Sequence, residues 1–367
     1  MNRPRIAVSL ASVVASAVFA VAAPAFAADP RCAADLDSSG SVDAADLSAM
    51  LAAWGSSDAA ADLDDSGVVS GADLAILLVA WAEAVDCTPV SWGTVLEQEP
   101  DPAVVTDAGL RKAIVATGLP WRVRDNSTSI EMRLVPAGTF MMGCSSSDLA
   151  TCFGTELPVH QVTLTSSFYI GRHEVTQAEW TAVVGSNPSF HQGAGFPEAP
   201  NLPVESVSRN AILGFLAKTG LRLPTEAEWE YAYRAGTTTA FHGFPGAPEG
   251  TSNDALVGEI AWYSGNNGEP FSPENRPKVV GQKAANGLGL HDMSGNVQER
   301  VSDFYLGNYY SSSPGVDPTG PASGEYSVAR GGAYWESPFF QRASSRVGVI
   351  DGAFGQNFVG FRVARNP

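Results

Sequence analysis

The chain has 367 residues, 44% of them hydrophobic and eight of them tryptophan, which suffices for one sizeable core with a small satellite domain and excludes a mostly disordered chain. Its formal charge is −17, so nucleic acid is a poor partner. Residues 28–87 hold twelve acidic residues and one basic, a concentration of over half the excess that calls for a cation.

Arg3 and Arg5 precede an apolar run from Ile6 to Ala23, and Ala25-Phe26-Ala27 supplies the small-x-small pattern of a signal peptidase site. Residues 1–27 therefore read as a signal peptide of an exported protein, periplasmic, cell-surface or secreted. No other stretch is long and apolar enough to span a bilayer, so no membrane span is expected after cleavage. In an oxidising compartment an even cysteine count favours disulfides, and the positions suggest Cys32 with Cys87 and Cys144 with Cys152.

Residues 28–87 contain a repeat with a spacing of 27 residues: Asp35-Leu-Asp-Ser-Ser-Gly40 recurs as Asp62-Leu-Asp-Asp-Ser-Gly67, and Leu47, Leu51 and Trp54 recur as Leu74, Leu78 and Trp81. Each unit is one loop and one helix. The loops fit a calcium template through Asp35, Asp37, Ser39, Ser41 and Asp46 in the first copy and Asp62, Asp64, Ser66, Val68 and Asp73 in the second, with Gly40 and Gly67 at the sharp turn. After each loop Leu47, Met50, Leu51 and Trp54, or Leu74, Leu77, Leu78 and Trp81, fall at helical spacing, so the two faces are expected to bury each other. With Asp rather than Glu in the twelfth position and a helix only after each loop, the segment 31–87 resembles type I dockerins, small all-α modules. That resemblance implies Ca2+ and a cohesin-like protein partner, although Ala44, Ala45, Gly71 and Ala72 leave few polar groups for the contact.

Residues 88–117 mix Pro, acidic and small residues and read as a linker with one short helix near 108–117. The second domain is assigned to 118–367. Met132–Met142 reads as two strands joined at Pro136–Gly138, and Val159–Ile170 as a third. Thr176 with Glu179 and Thr225 with Glu228 form capping boxes of two helices, and Ser208 starts another that stops at Gly220. Beyond Gly236 helical periodicity ends and Gly, Pro, Asn and Ser dominate.

The runs VPAGTFMMG, PVHQVTLTSSFYIGRHEVTQAEW, PVESVS, LRLPTEAEWEYAYRAG, GLGLHDMSGNVQER, ARGGAYW and VGFRVAR resemble, in order, the landmarks of the formylglycine-generating enzyme, or sulfatase-modifying factor, family. The resemblance implies an α+β fold related to C-type lectins, with small sheets, a few helices and much irregular structure. It also implies a second kind of Ca2+ site in Gly287–Val301, held by the Asp292 and Glu299 side chains and the Gly295 and Val297 carbonyls, although Gln298 and Arg300 stand where the family usually has tryptophan.

Active members resemble Arg330–Arg346 but carry two copper-binding cysteines, at the positions here held by Glu336 and Gln341. Cu(I) is soft and prefers thiolates, so copper is not expected and no catalytic residue is assigned. His160, His173, His191, His242 and His291 show no metal-ligand spacing and read as structural. These observations favour an exported binding or scaffolding protein, a pseudo-enzyme. The alternatives are a formylglycine-generating oxidoreductase acting on a sulfatase cysteine, and a dockerin-borne component of a polysaccharide-degrading assembly. The ligand of the large domain is not legible.

Overall fold

The computed structural model describes residues 30–37, 41–82, 90–145, 152–350 and 355–367. The expected signal peptide lies outside the described residues, as do Ser39 of the first acidic loop and Cys87, the expected partner of Cys32.

Each acidic loop leads into one helix, α1 (Ala44–Ala52) and α2 (Gly71–Ala82). The aspartate in the twelfth position organises both loops in the same way. Asp46 Oδ1 accepts the N–H groups of Leu36 and Asp37 at 2.7 and 3.1 Å, and Asp73 Oδ1 accepts those of Leu63 and Asp64 at 2.7 and 3.1 Å. The second oxygens take the Asp43 and Ser70 N–H groups, both at 2.7 Å. Both side chains are fully buried, a cost that these bonds offset. Ala34, Val42, Met50, Ala61, Val69, Leu77 and Ala80 form the core.

The two helical faces do not bury each other as the spacing suggests. Met50 and Leu77 are enclosed and Leu47 and Leu74 pack partly, but Leu51, Trp54, Leu78 and Trp81 are exposed. Successive helical residues are rotated by about 100°, so the flank of the stripe turns outward once small residues have closed the centre.

The expected linker is also different. Val90, Val105 and Ile114 lie in the main core. Strand β1 (Gly93–Glu97) pairs antiparallel with β2 (Arg122–Asp125), and α3 (Ala108–Val115) is capped by Asp107, whose carboxylate accepts the Leu110 N–H at 2.6 Å. The segment from residue 90 onward is thus an edge strand and a helix of the large domain. Its strand is short and only half-buried, which leaves no alternation to read in the sequence.

Strand β3 (Glu131–Val135) pairs with β2 and with β6 (Phe168–Gly171), and β6 pairs with β13 (Ala364–Arg365), giving an antiparallel five-stranded sheet β1-β2-β3-β6-β13. Strands β4 (Gly138–Met142) and β5 (His160–Leu164) form a separate ribbon. The single strand expected over 159–170 is therefore two, in different sheets, split where Ser167 Oγ accepts the Ala137 N–H at 3.0 Å.

Helices α4 (Gln177–Val184), α5 (Arg209–Thr219) and α6 (Glu226–Arg234) begin at the expected caps. Glu179 and Glu228 reach back to the Thr176 and Thr225 N–H groups, both at 2.8 Å, and Ser208 Oγ accepts the Ala211 N–H. Trp180 of α4 stacks on Phe215 of α5, with ring centroids 5.4 Å apart.

After α6 come β7 (Ala261–Trp262), β8 (Ser294–Gly295), β9 (Gln298–Phe304), β10 (Tyr326–Arg330), β11 (Arg346–Ile350) and β12 (Val359–Phe361). Strands β7 and β8 form a two-stranded parallel pair, and the others form a sheet in the order β11-β10-β9-β12, with β12 parallel to β9. Helix α6 is charged in sequence, yet Glu226, Trp229, Glu230, Tyr233 and Arg234 are all buried. Glu230 pairs with Arg330 of β10 and with Arg234, while Glu226 pairs with Arg346 of β11 at 2.7 Å. No helix among the described residues is long and apolar enough to cross a membrane.

Candidate functional site

The run that carries the family's thiol positions begins at Gly331 and Gly332, with φ of +87° and +74°. Two left-handed residues in succession fold the chain back, which places Glu336 over the Ala333 N–H. Glu336 Oε2 accepts this N–H at 2.8 Å and Gln298 Nε2 at 3.0 Å. Two of the departures from the family pattern, Gln298 and Glu336, are thus partners of each other. Burial raises the Glu336 carboxyl above the ordinary carboxylate range.

Gln341 closes the other side. Its Nε2 donates to the Ala333 carbonyl at 3.1 Å, and its own carbonyl accepts Tyr233 Oη at 2.9 Å and Ser294 Oγ at 3.0 Å. The site holds a carboxyl and an amide tied to the Ala333 backbone, with Gln341 Oε1 left without a hydrogen-bond partner, and both are hard donors.

Cys144 and Cys152 form a disulfide. It lies against the same segment: Arg342 Nη1 is 3.2 Å from Cys152 Sγ, and Phe153 packs edge-on to Phe339 with centroids 4.7 Å apart. Glu156, fully buried, accepts Arg342 at 2.9 Å and Ser344 Oγ at 2.6 Å. These sulfurs are bonded to each other and supply no thiolate.

The Gly287–Val301 run makes tight turns through Asp292, Gly295 and Asn296, all at positive φ. At Gly295 only glycine fits, because a Cβ there would lie 2.3 Å from the Trp262 carbonyl oxygen. Asp292 is buried, with Oδ2 accepting the Gly281 N–H at 2.6 Å and Oδ1 without a hydrogen-bond partner. Glu299 instead accepts Trp229 Nε1 at 2.7 Å and Arg362 Nε and Nη2, both at 2.6 Å.

Glu174, a residue absent from the expected set, is wholly buried, and neither of its carboxylate oxygens has a hydrogen-bond partner. Burial, then the neighbouring charges of Asp292 and Glu299, push its carboxyl well up, and burial pushes Asp292 up to about 6. Three buried carboxyls crowd around Arg362, so they repel one another when all are ionised. A sequence reading misses Glu174 because it stands 118 residues from Asp292, between histidine and valine.

In the small domain Asp35, Asp37 and Asp46 bring one oxygen each within 4.8 Å of one another, and Asp62, Asp64 and Asp73 do the same. In the second loop Asp62 also accepts the Ser66 N–H at 3.0 Å and the Gly67 N–H at 2.6 Å, which turns the loop around one point. Ser66 Oγ lies 3.2 Å from the Val68 carbonyl, beside the same carboxylates.

Four of the five histidines set Nδ1 against a backbone carbonyl: His160 on Pro158, His173 on Glu174, His242 on Gly243 and His291 on Lys283. Burial holds His173 and His242 down to about 4, so both are neutral structural groups near neutral pH. His191 differs, with Nδ1 3.1 Å from Glu205 Oε1.

Comparison with known proteins gives the same picture of the large domain. The sulfatase-modifying factor enzyme 1-like domain model matches residues 121–367. The chain is 32% identical over 265 residues to the formylglycine-generating enzyme of Streptomyces coelicolor, an alignment that covers 58% of this chain and 80% of that protein. Among solved structures it is similar to Treponema denticola variable protein 1, with a TM-score of 0.55 and 28% identity over 65% of this chain and 95% of that one. PvdO from Pseudomonas aeruginosa has the same TM-score of 0.55 and 28% identity, over 67% of this chain and 98% of its own. Through residues 121–367 this chain belongs to the sulfatase-modifying factor enzyme 1-like domain family.

Proposed function

We propose that this is an exported calcium-binding protein whose large domain uses the formylglycine-generating-type fold as a binding or scaffolding module, without oxidase chemistry. The observation that carries the reading is the Gln298–Glu336 hydrogen bond at 3.0 Å. A carboxyl and an amide that satisfy each other leave no soft donor at this position, and Gln341 is committed to the Ala333 carbonyl. Folds of this kind host many functions, so membership does not by itself carry the activity of the Streptomyces relative over to this chain.

The calcium part of the proposal rests on the two aspartate triads, which supply hard oxygen donors in two copies of one arrangement. Asp292 Oδ1 is available to a hard cation, with Glu174 nearby, whereas Glu299 is already held by Arg362 and Trp229.

The test is direct. The purified full chain, incubated with Cu(I), oxygen and a Cys-x-Pro-x-Arg peptide, is expected to leave the peptide mass unchanged. Conversion of the peptide thiol to an aldehyde would restore the oxidoreductase reading.

A further inference from the structure

We propose that the cavity beside Tyr334 and Trp335 is a binding site for an uncharged saccharide, with His191 as the residue that reads its hydroxyls. This deepens the binding-module reading of the large domain and rests on it. The cavity has a volume of about 650 Å³, within the range of small-molecule sites. Its walls carry three exposed aromatic rings, Phe190, Phe271 and Trp335. Phe271 is wholly exposed, and its φ of +65° is a left-handed conformation that a bulky residue rarely adopts. The fold thus keeps an aromatic ring in water at the rim and accepts backbone strain to do so, an arrangement that belongs to sites rather than to packing. Trp335 is braced edge-on by Phe358, with centroids 5.3 Å apart, which fixes the ring face it offers.

His191 supplies the directional group. It is 5% exposed and lines the cavity. Its Nδ1 faces Glu205 Oε1 at 3.1 Å, its backbone N–H donates to the same oxygen at 2.8 Å, and Ser206 Oγ donates to Oε2 at 2.7 Å. Because the carboxylate accepts, Nδ1 carries the proton, and in the neutral ring Nε2 is then an acceptor. Among the described residues no hydrogen bond reaches Nε2. Nε2 is not among the buried unpartnered atoms, so it opens onto the cavity, where a ligand hydroxyl can reach it.

The remaining lining sets the ligand class. Asn275, Asn357, Ser264 and Ser272 are neutral donors and acceptors. The cationic side chain, Arg276, is paired with Glu198 at 2.7 Å and lies over the Phe196 ring at 4.9 Å. Among the described residues a phosphate or carboxylate would find no uncommitted cation on this wall, and the chain's charge of −17 repels anions at long range. A sugar ring matches the wall on both counts. Its C–H face is complementary to the electron-rich face of Trp335 or Phe271, and its equatorial hydroxyls donate and accept around the edge.

The test titrates the full chain with soluble β-1,4-linked gluco-, xylo- and manno-oligosaccharides by calorimetry and saturation-transfer NMR, with a proline-rich peptide in parallel. Saturable binding of at least one glycan is expected, weakened about tenfold in Trp335→Ala and in His191→Phe, which keeps a ring but removes the acceptor. Phe271→Gly is the variant that keeps the experiment decisive if either of these fails to fold. It relieves the left-handed strain, so it should fold at least as well as the parent while binding more weakly. No saturable glycan binding up to about 10 mM, binding of the peptide alone, or glycan binding indifferent to Phe271→Gly would each overturn the proposal. The copper oxidase assay on the same preparation separates the two readings: aldehyde formation would defeat the non-oxidase reading whatever the titration gives.

Discussion

A Cβ at Gly332 would lie 2.6–2.7 Å from the Gln341 amide, in a backbone with φ of +74°. Gly332→Ala should therefore cost about 2–3 kcal/mol in chemical denaturation, from strain and clash together. Trimming Gln341 to alanine in the same chain should recover the clash part and leave the conformational part, a coupling that a double-mutant cycle measures. Glu336→Cys with Gln341→Cys replaces two hard donors by soft ones, so the double variant should take up Cu(I) that the parent does not, as read by metal analysis after gel filtration. Asp303 gives a residue-scale prediction in pH. Burial, then the charge of Glu226, raises its carboxyl to about 7. An acid whose folded pKa lies above its unfolded value holds a proton that the unfolded chain has released, so stability falls as pH rises from about 4 to 7. Asp303→Asn should remove that slope and, above pH 7, stabilise the domain relative to the parent by about 2–3 kcal/mol in denaturant titrations at several pH values. A pH-independent difference between the two proteins would refute the argument.

Among the elements, α6 joins the parts of the large domain. Glu230 accepts the Gly143 N–H at 3.0 Å, Arg234 Nη2 at 2.8 Å and Arg330 Nη2, so one carboxylate ties the end of β4, the helix itself and β10 together. Removing its charge would leave buried guanidinium groups uncompensated. Glu230→Gln should cost about 3–5 kcal/mol, whereas substitutions at the exposed Leu213 of α5 should change little. The two loop–helix units of the small domain are held by a core of mostly small side chains, and each gathers three carboxylates at one point. Without a cation those charges repel, so excess EDTA should abolish the helical circular dichroism contributed by residues 31–87 and open them to protease, while the large domain stays intact. Asp62→Ala should lower the bound calcium by one ion in calorimetry. The exposed pairs Leu51 with Trp54 and Leu78 with Trp81 occupy equivalent places in the two units, and we propose them as the apolar contacts of the cohesin-like partner that the dockerin resemblance implies. Leu51→Asp with Leu78→Asp should abolish capture by such a partner and leave calcium uptake unchanged.

For the molecule as a whole, peptide mapping without reduction should return Cys144 linked to Cys152, and the proposed export predicts Cys32 linked to Cys87. Much of the architecture was written locally. The caps at Thr176, Ser208 and Thr225 act within three residues of themselves, and they start α4, α5 and α6 where the sequence places them. The repeated aspartate loops are equally local, and so is the replacement of the family's thiols by Glu336 and Gln341. Tertiary structure decided everything that depends on distant partners. Strand β9, Gln-Glu-Arg-Val-Ser-Asp-Phe, looks like surface in sequence and lies inside because Arg362 neutralises Glu299 and Gln298 meets Glu336. The segment 90–117 joins the large domain because β1 finds β2 and Val105 finds the core. Glu174 reaches Asp292, and His191 reaches Glu205, only once the chain has folded. Sequence by itself determined the family, the capped helices and the absence of a thiol pair, since each is fixed by neighbours along the chain. Which polar side chains are buried, and which acceptor is left facing a cavity, was settled by long-range pairing, because burying a polar group is tolerable only where a partner from elsewhere meets it.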